Sequence, residues 1–320
     1  ARAVERAVEV GLARARERRR EEETLQTHPN CWICNRRPDP NPRKPNFVLP
    51  SGACDAHCHV FGPGDLFPYH PKRSYTPPDA SRQTLKKLHS FLGIERAVIV
   101  QASCHGPDNT AMLDAIAHSN GKYRGVCHID IGTTEEDLQS LHEGGVRGVR
   151  FNFVKHLGGA PDLNFLRRTV DIVRGFGWHL VLHFDAADLL EYKDLLKQLD
   201  IKIVIDHMGR PRAEDGIGQT PFQILLEFMK DENYWVKVCG LERISANGRP
   251  FHDGIPFAQE LLKVAPDRAI WGTDFPHPNI SGDMPNDGDL VDLLALFAPD
   301  EKLRQKILVD NPARLYGFED

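Results

Sequence analysis

The chain has 320 residues, a formal net charge of -5 and 41% hydrophobic residues, which suits one large globular domain or two smaller ones. The acidic balance argues against nucleic acid as a partner, and no apolar run approaches the length needed to span a membrane. Seven cysteines, an odd number at irregular spacing, indicate a reduced protein. With no secretory signal in view, we expect a cytoplasmic location.

The first 50 residues predict an extension with two parts. Residues 1–26 are rich in Ala, Arg and Glu and predict a helical arm, whose basic run is offset by the Glu residues that follow. Residues 35–52 are rich in Pro and predict an extended strap or linker. Between them, Cys31 and Cys34 form a CxxC motif. No second CxxC completes a zinc site, so free thiols are the expected state.

From residue 53 the chain alternates short apolar runs with amphipathic segments of helical length. The strand-like runs are CDAHCHVF, RAVIVQAS, YRGVCHID, GVRGVRFNF, HLVLHF, KIVIDHM, YWVKVCG and RAIWGTDF. A helix-like segment follows each of them, from DASRQTLKKLHSFLG to DLVDLLALFA. Near-continuous apolar strands, each followed by a helix, predict a parallel sheet covered by helices. Eight such units predict a single (β/α)8 barrel, an α/β fold, over residues 51–320.

Polar residues gather at the predicted carboxyl ends of these strands, where (β/α)8 barrels carry their reactive groups. The first strand ends in HCH. Because alternate residues of a strand point the same way, His57 and His59 should project together toward the barrel mouth. Further candidates at the other strand ends are Ser103, Arg150, His183, Asp206, His207, Arg210, Arg243 and Asp274. Such groups are costly when buried without partners, so the joint pattern predicts one shared pocket.

Six segments carry a resemblance to a known family: DAHCHVFGP, VIVQASCHGPDN, LHEGGVRGVRFNF, VIDHMGRP, WGTDFPHPN and DNPARLYGF. They span residues 53–318 and resemble the amidohydrolase superfamily, and within it the 2-pyrone-4,6-dicarboxylate lactonases. The resemblance implies an amidohydrolase-type barrel. It also implies hydrolysis of a carboxylated lactone in aromatic-compound catabolism, either 2-pyrone-4,6-dicarboxylate or a related muconolactone-type substrate.

The resemblance also implies roles for individual residues. The implied catalytic residues are Asp274, His207, His57 and His59, with Asp274 activating water. The implied substrate-binding residues are Tyr75, Ser103, Arg150, His156, Arg210 and Arg243. These residue types suit ester hydrolysis, because a carboxylate can act as base, histidines can polarise a carbonyl and guanidinium groups bind carboxylates in bidentate fashion.

Two positions depart from the lactonase pattern, which has Tyr in place of His183 and Arg in place of His156. His183 restores the strand-five ligand of metal-dependent members of the superfamily. The chain therefore predicts a site for one divalent ion, Zn2+ or Mn2+, with the ligands His57, His59, His183 and Asp274. The metal-free mechanism of the well-studied lactonases stays open beside it. The loss of a fixed positive charge at residue 156 favours a lactone with a different acidic group, or one fewer.

Two alternative functions remain open from the sequence. One is a metal-dependent decarboxylase of an aromatic acid on the same scaffold. The other is a barrel without activity that acts as a binding or assembly protein through its N-terminal arm. The expected partner is a small anionic lactone, with no nucleic acid and no membrane, and a homo-oligomer is one option for the assembly.

Overall fold

The computed structural model describes residues 37–280 and 282–318, apart from the side chain of His156. The predicted helical arm and the CxxC motif lie outside these residues. Within the described part of the chain, no helix is both long and apolar enough to cross a membrane.

Eight parallel strands form one sheet whose order follows the chain from first to last. They are β1 (Cys54–Cys58), β2 (Arg96–Val100), β3 (Tyr123–Cys127), β4 (Val146–Asn152), β5 (His179–His183), β6 (Ile203–Ile205), β7 (Tyr234–Lys237) and β8 (Ala269–Ile270). Nearly all of their residues are buried, as expected for strands covered on both faces. The predicted (β/α)8 barrel is therefore confirmed.

Helices pack around the outside of this sheet. They are α1 (Arg82–Leu92), α2 (Thr110–Ala117), α3 (Glu135–Glu143), α4 (Leu163–Val173), α5 (Leu189–Leu196), α6 (Thr220–Phe228), α7 (Leu241–Ile244), α8 (Ile255–Val264), α9 (Asp287–Phe297), α10 (Glu301–Gln305) and α11 (Asn311–Tyr316). Their ends follow local rules. The Ser81 side chain caps the start of α1, and Gly93 ends it in the left-handed conformation.

Backbone hydrogen bonds join β1 to the segment that follows β8 and close the barrel. The amide of Asp274 donates to the carbonyl of His57 at 2.7 Å, and the amide of His59 donates to the carbonyl of Phe275 at 2.8 Å. These bonds bring the two ends of the barrel sequence side by side. The HCH motif and Asp274 are therefore fixed against each other by the backbone itself.

The first strand is irregular at the point where it approaches the site. Its register against β2 shifts between Asp55 and Cys58. Cys54 and Ala56 pack in the small apolar cluster with residues of the other strands, whereas Cys58 belongs to the larger cluster that includes helix residues. Such a shift re-aims the residues beyond it. His57 and His59 can therefore both face the mouth, although Ala56 also faces inward.

The described part of the predicted strap lies against α9 without forming helix or strand. Arg43 forms an ion pair with Asp289 at 2.7 Å and a second one with Asp292. The amide of Asn46 also donates to Asp292 at 2.7 Å. These bonds fasten the strap to the barrel. The division into an arm and strap over 1–50 and a barrel over 51–320 stays a prediction.

Arg43→Ala should lower the free energy of unfolding by about 1 kcal/mol, because it removes two ion pairs that are partly exposed and therefore screened by solvent. The Arg43 side chain is 44% exposed. Thermal and urea unfolding measure the effect. The matched control is Arg212→Ala, since the ion pairs of Arg212 with described residues, Glu214 and Asp215, lie within its own turn. An equal loss in both variants would show that the strap contributes nothing to stability.

Candidate active site

The predicted catalytic residues meet at the carboxyl end of the barrel. Asp274 Oδ1 lies 3.1 Å from His59 Nε2 and 3.5 Å from His57 Nε2. The other oxygen, Oδ2, lies 3.9 Å from His207 Nε2. All four side chains are buried. One carboxylate therefore faces three imidazole rings, in a pocket that draws on β1 and on the segments after β6 and β8.

Asp274 is also bound to Arg243, which lies on the short helix α7. Arg243 Nε donates to Asp274 Oδ2 at 2.5 Å, and its Nη2 group contacts the same oxygen and donates to the Pro278 carbonyl at 3.0 Å. Burial opposes the charged form of Asp274, but Arg243 and the neighbouring histidines outweigh it and hold the pKa of this carboxyl well below its ordinary value. Asp274 is therefore an ionised carboxylate clamped by a guanidinium.

The backbone turns sharply where these side chains leave their strands. Asp274 has φ 60°, His207 has φ 49° and Met208 has φ 54°, all in the left-handed region. Residues other than glycine rarely adopt this conformation, and it persists where surrounding contacts fix it. This local strain lies at the two segments that carry the imidazole and carboxylate groups of the site.

Asp55 explains why an acidic residue precedes the HCH motif. Its Oδ1 accepts from the amides of His57 at 3.1 Å and Thr273 at 3.0 Å. Its Oδ2 accepts from the Thr273 hydroxyl at 2.6 Å and contacts His89 Nε2 at 3.1 Å. Asp55 therefore joins β1, α1 and the segment after β8. Its position supports the site from outside and does not face the pocket histidines.

Gly272→Ala should destabilise the protein by about 1–3 kcal/mol, because the new methyl group would overlap β1. A Cβ at this position would lie 2.4 Å from the amide nitrogen of His57 and 2.8 Å from Asp55 Oδ1. Urea unfolding measures the loss. The control is Gly175→Ala, since a Cβ there meets nothing within 4 Å. Unchanged stability in the Gly272 variant would contradict this account of barrel closure.

Two neighbours of the site, Lys237 and His128, were given no role by the sequence, and Lys237 shares Asp206 with the predicted residue Arg150. Arg150 Nε donates to Asp206 Oδ2 at 2.8 Å, and Lys237 Nζ lies 3.1 Å from Asp206 Oδ1. Burial opposes the charge of Asp206, but Lys237 and Arg150 outweigh it and hold its pKa well below the ordinary value. His128 follows β3, and burial together with Arg150 lowers its pKa to about 3. A lysine inside the apolar run YWVKVCG was the signal that could have found Lys237.

Three further predicted binding residues, Tyr75, Ser103 and Arg210, lie beside the residues already described. Tyr75 is buried and hydrogen-bonds Ser103, and burial raises its pKa well above the ordinary value. Arg210 Nη1 lies 3.1 Å from His183 Nε2, and Arg210 Nε lies 3.1 Å from Asp185 Oδ1. The side chain of His156 lies outside the described residues. Its place in the pocket stays a prediction.

A group of three residues offers ligand atoms for a metal ion. Those of His57, His59 and Asp274 lie within 4.8 Å of one another. His59 Nδ1 donates to the Val100 carbonyl at 2.7 Å, and its Nε2 faces Asp274 Oδ1 at 3.1 Å. A neutral His59 would thus turn a lone pair toward a carboxylate, an arrangement that a cation or a proton between them would satisfy. The donor set fits a divalent ion in kind and position.

His183, the predicted fourth ligand, is not in this group of three. Its Nε2 contacts Arg210, and its buried Nδ1 has no hydrogen-bond partner in the described part of the chain. The ring lies 5.6 Å from that of His207, measured between centroids. The role of His183 as a ligand therefore remains a prediction.

Known proteins resemble this chain both in sequence and in fold. The sequence matches the Amidohydrolase family over residues 54–318. It is 47% identical to the 2-pyrone-4,6-dicarboxylate hydrolase of Comamonas testosteroni, over 88% of this chain and 95% of that protein. It is 44% identical to the 4-sulfomuconolactone hydrolase of Rhizobium radiobacter, over 85% and 92%. A crystal structure from Agrobacterium tumefaciens, 30% identical, superposes with a TM-score of 0.76 and covers 86% of this chain and 99% of that one.

These likenesses settle the class of protein. The match spans nearly the whole described barrel, and the relatives are covered over more than nine-tenths of their length. The chain belongs to the amidohydrolase family. The predicted resemblance to the 2-pyrone-4,6-dicarboxylate lactonases is confirmed as well, since a hydrolase of that compound is among its close relatives.

Proposed function

We propose that this protein is a hydrolase that opens the ring of an anionic lactone. The observation that carries the proposal is the ionised Asp274, held among three imidazole groups and beside Arg243 at the mouth of the barrel. Ester hydrolysis needs a base for water, a group that polarises the carbonyl and, for an anionic substrate, fixed positive charge. This pocket has all three within a few ångströms.

Asp274 is the residue placed to take a proton from the attacking water. Its carboxylate is ionised and buried, so water bound beside it would be oriented and partly desolvated. The same group can then return the proton to the ring oxygen that leaves as an enolate. Water thus adds to the ester carbonyl, the ring C–O bond breaks, and the product is an acyclic carboxylic acid.

The histidines around Asp274 are placed to polarise the ester carbonyl. A hydrogen bond from an imidazole N–H to the carbonyl oxygen stabilises the negative charge that forms there during attack. His57 and His207 are both neutral at neutral pH, because burial lowers the pKa of His57 to about 4 and that of His207 well below its ordinary value. A neutral ring can donate without carrying a charge that would compete for Asp274.

Arg243 links substrate binding to the activity of the base. While Arg243 is bound to Asp274, the low pKa of that carboxyl makes it a weak base. A carboxylate or sulfonate of the substrate competes for the same guanidinium. Its binding weakens the pair and raises the pKa of Asp274, so the base becomes stronger only when an anionic substrate is present. Arg150 and Arg210 add positive charge to the same mouth.

A metal ion would be held by His57, His59 and Asp274, with His183 as the predicted fourth ligand, and each ligating imidazole would need a lone pair on the nitrogen that faces the ion. Zn2+ or Mn2+ bound there would polarise the carbonyl and lower the pKa of bound water. A histidine that ligates an ion through Nε2 could not donate from the same nitrogen, so the donor roles given to the histidines are those of the metal-free site.

The substrate class follows from the relatives and from the charge of the pocket. The 2-pyrone-4,6-dicarboxylate hydrolase and the 4-sulfomuconolactone hydrolase are nearly equally similar to this chain, at 47% and 44% identity. Both names describe hydrolases of anionic lactones. With histidine at residue 156, we favour a lactone that carries one carboxylate fewer than the pyrone or a sulfonate in its place. A decarboxylase gains no support from these two relatives.

Ring opening tests the proposal directly. The purified chain is assayed with 2-pyrone-4,6-dicarboxylate, 4-sulfomuconolactone and uncharged 2-pyrone, and with a dihydroxybenzoate for release of CO2. Each assay is run as purified, after chelator treatment, and after reloading with Zn2+ or Mn2+. We expect turnover of at least one anionic lactone and no CO2 release. Decarboxylation without ring opening would support the alternative enzyme, and no turnover in any assay would contradict the proposal.

A further inference from the structure

Lys237 is a fully buried lysine at the carboxyl end of β7. Its side chain is 0% exposed, and lysine is rarely buried to this degree unless it is paired. Its Nζ lies 2.9 Å from Nδ1 of His57 and 3.1 Å from Oδ1 of Asp206. The proposed mechanism gives this residue no part so far. Its contacts connect it directly to one of the histidines that face Asp274.

The contact with Lys237 decides which nitrogen of His57 carries the proton. A lysine ammonium has three N–H donors and no acceptor, so a hydrogen bond between these two nitrogens has Nδ1 of His57 as its acceptor. A neutral imidazole has one proton, which then resides on Nε2. In the alternative tautomer, the proton of His57 would lie on Nδ1 and face the ammonium group of Lys237. Asp206 Oδ1, which lies 3.2 Å from Nδ1, is the acceptor that this tautomer would use. The contact with Lys237, at 2.9 Å, is the shorter of the two and favours the Nε2–H tautomer.

The resulting Nε2–H group points into the pocket. Nε2 of His57 lies 3.5 Å from Asp274 Oδ1 and is buried, with no hydrogen-bond partner among the described residues. A buried donor without a partner costs free energy, and that cost is removed when a ligand supplies an acceptor. The carbonyl oxygen of an ester is such an acceptor. His57 is therefore prepared to donate a hydrogen bond beside the base.

The same proton must leave Nε2 before His57 can ligate a metal there, so the Nε2–H tautomer opposes the ligand role predicted for His57. A ligating imidazole needs a lone pair on the ligating nitrogen. His59 differs, since its Nδ1 donates to the Val100 carbonyl and its Nε2 faces a carboxylate. The Nδ1 atoms of the two histidines thus have different partners: the ammonium group of Lys237 for His57 and the Val100 carbonyl for His59. They are suited to different tasks.

We propose that Lys237 is a positioning residue that fixes the Nε2–H tautomer of His57, so that His57 donates to the lactone carbonyl and does not ligate an ion. The donation from His57 to the lactone carbonyl rests on the proposed function. The assignment of the His57 tautomer does not rest on it, and this tautomer can be measured without substrate.

The first experiment measures the tautomer in the unmodified chain. Long-range proton–nitrogen correlation spectra of protein labelled with 15N-histidine report which ring nitrogen is protonated. His57 is assigned by the signals lost in His57→Gln. We expect a protonated Nε2 and an unprotonated Nδ1 in chelator-treated protein. A protonated Nδ1 would overturn the proposal, and this measurement needs no variant of Lys237 to fold.

The second experiment removes the donor behind the ring. Lys237→Met keeps the length of the side chain without a donor, and Lys237→Gln and Lys237→Arg retain N–H groups. In Lys237→Met we expect the proton of His57 to move to Nδ1, where Asp206 accepts it. Calorimetric titration with ZnCl2 should then show affinity at least ~10-fold higher. The kcat for the best lactone should fall by about 10², with a smaller change in KM.

The control is Lys263→Met, a surface lysine on α8 that pairs with Glu260 and should leave spectrum, zinc affinity and kcat unchanged. Partial recovery of the Nε2–H signal and of kcat in Lys237→Gln or Lys237→Arg would support positioning by a donor. A folded Lys237→Met that keeps the Nε2–H tautomer and wild-type zinc affinity would overturn the proposal. A chain that turns over no lactone yet shows the expected tautomers would refute the proposed function and support the positioning role.

Discussion

Asp274→Asn should lower kcat for the best anionic lactone by about 10² or more, the scale of a lost general base. Asparagine keeps the shape of the side chain but cannot take a proton from water. The structure adds a second expectation. Arg243 would lose its carboxylate partner inside a buried site, so the thermal midpoint should fall. Steady-state kinetics, thermal unfolding and metal content are measured on the same preparation.

The control for this variant is Asp300→Asn. Asp300 caps α10 by accepting from the amide of Lys302 at 2.8 Å, and asparagine is an equally good capping residue. We expect wild-type kcat and stability in the control. A folded Asp274→Asn protein that keeps its metal status and hydrolyses the lactone near the wild-type rate would refute the role of Asp274 and the mechanism built on it.

Arg243→Met should lower kcat/KM for a dianionic lactone by roughly 30- to 1,000-fold, or about 2–4 kcal/mol of transition-state binding. Methionine cannot pair with a substrate carboxylate, and it leaves that charge partly desolvated without a partner. The kcat/KM for uncharged 2-pyrone should fall much less, because this substrate has no charged group for Arg243 to bind. Without Arg243, Asp274 also becomes a stronger base. The ratio of the two losses is the informative quantity.

Arg268→Met is the matched control for this ratio. Arg268 is also a packed arginine, but it donates to the backbone carbonyls of Asp231, Tyr234 and Met229, and no carboxylate oxygen is among these acceptors. The Arg268→Met variant should be less stable, and its kcat/KM should change by the same factor for both lactones. Equal losses on both substrates in Arg243→Met would mean that Arg243 maintains the site and does not recognise substrate charge.

Arg150→Met should lower kcat/KM for the dianionic lactone more than for uncharged 2-pyrone, as Arg243→Met does, if Arg150 also binds the substrate.

The sequence predicted the barrel because local patterns encode it. Eight apolar runs of strand length, each followed by an amphipathic segment, leave few arrangements that bury all of them. The HCH spacing placed His57 and His59 on one side, and the structure brings both within 3.5 Å of Asp274. Residues at strand ends share one mouth in any closed parallel barrel. The convergence of the predicted residues therefore required no knowledge of the loops.

Other features of the site could not be read from local patterns. The period of two alone would place Ala56 and His57 on opposite faces, and the register shift in β1 is what re-aims the strand. Lys237 looked like one polar residue in an apolar strand. Its partner His57 is 180 residues away in sequence, and Asp206 lies between them in the chain. Pairings of this kind depend on three strands meeting in space.

The sequence by itself determined the (β/α)8 class and the identity of the strand-end groups, because periodicity and residue type are local properties of the chain. The tertiary structure alone decided which charges are paired: Arg243 with Asp274, and Lys237 and Arg150 with Asp206. In a buried site each charge must have a close partner, and competing partners are separated by only a few ångströms. The pairing therefore follows from packing geometry, and with it the pKa of the base and the proton position on His57.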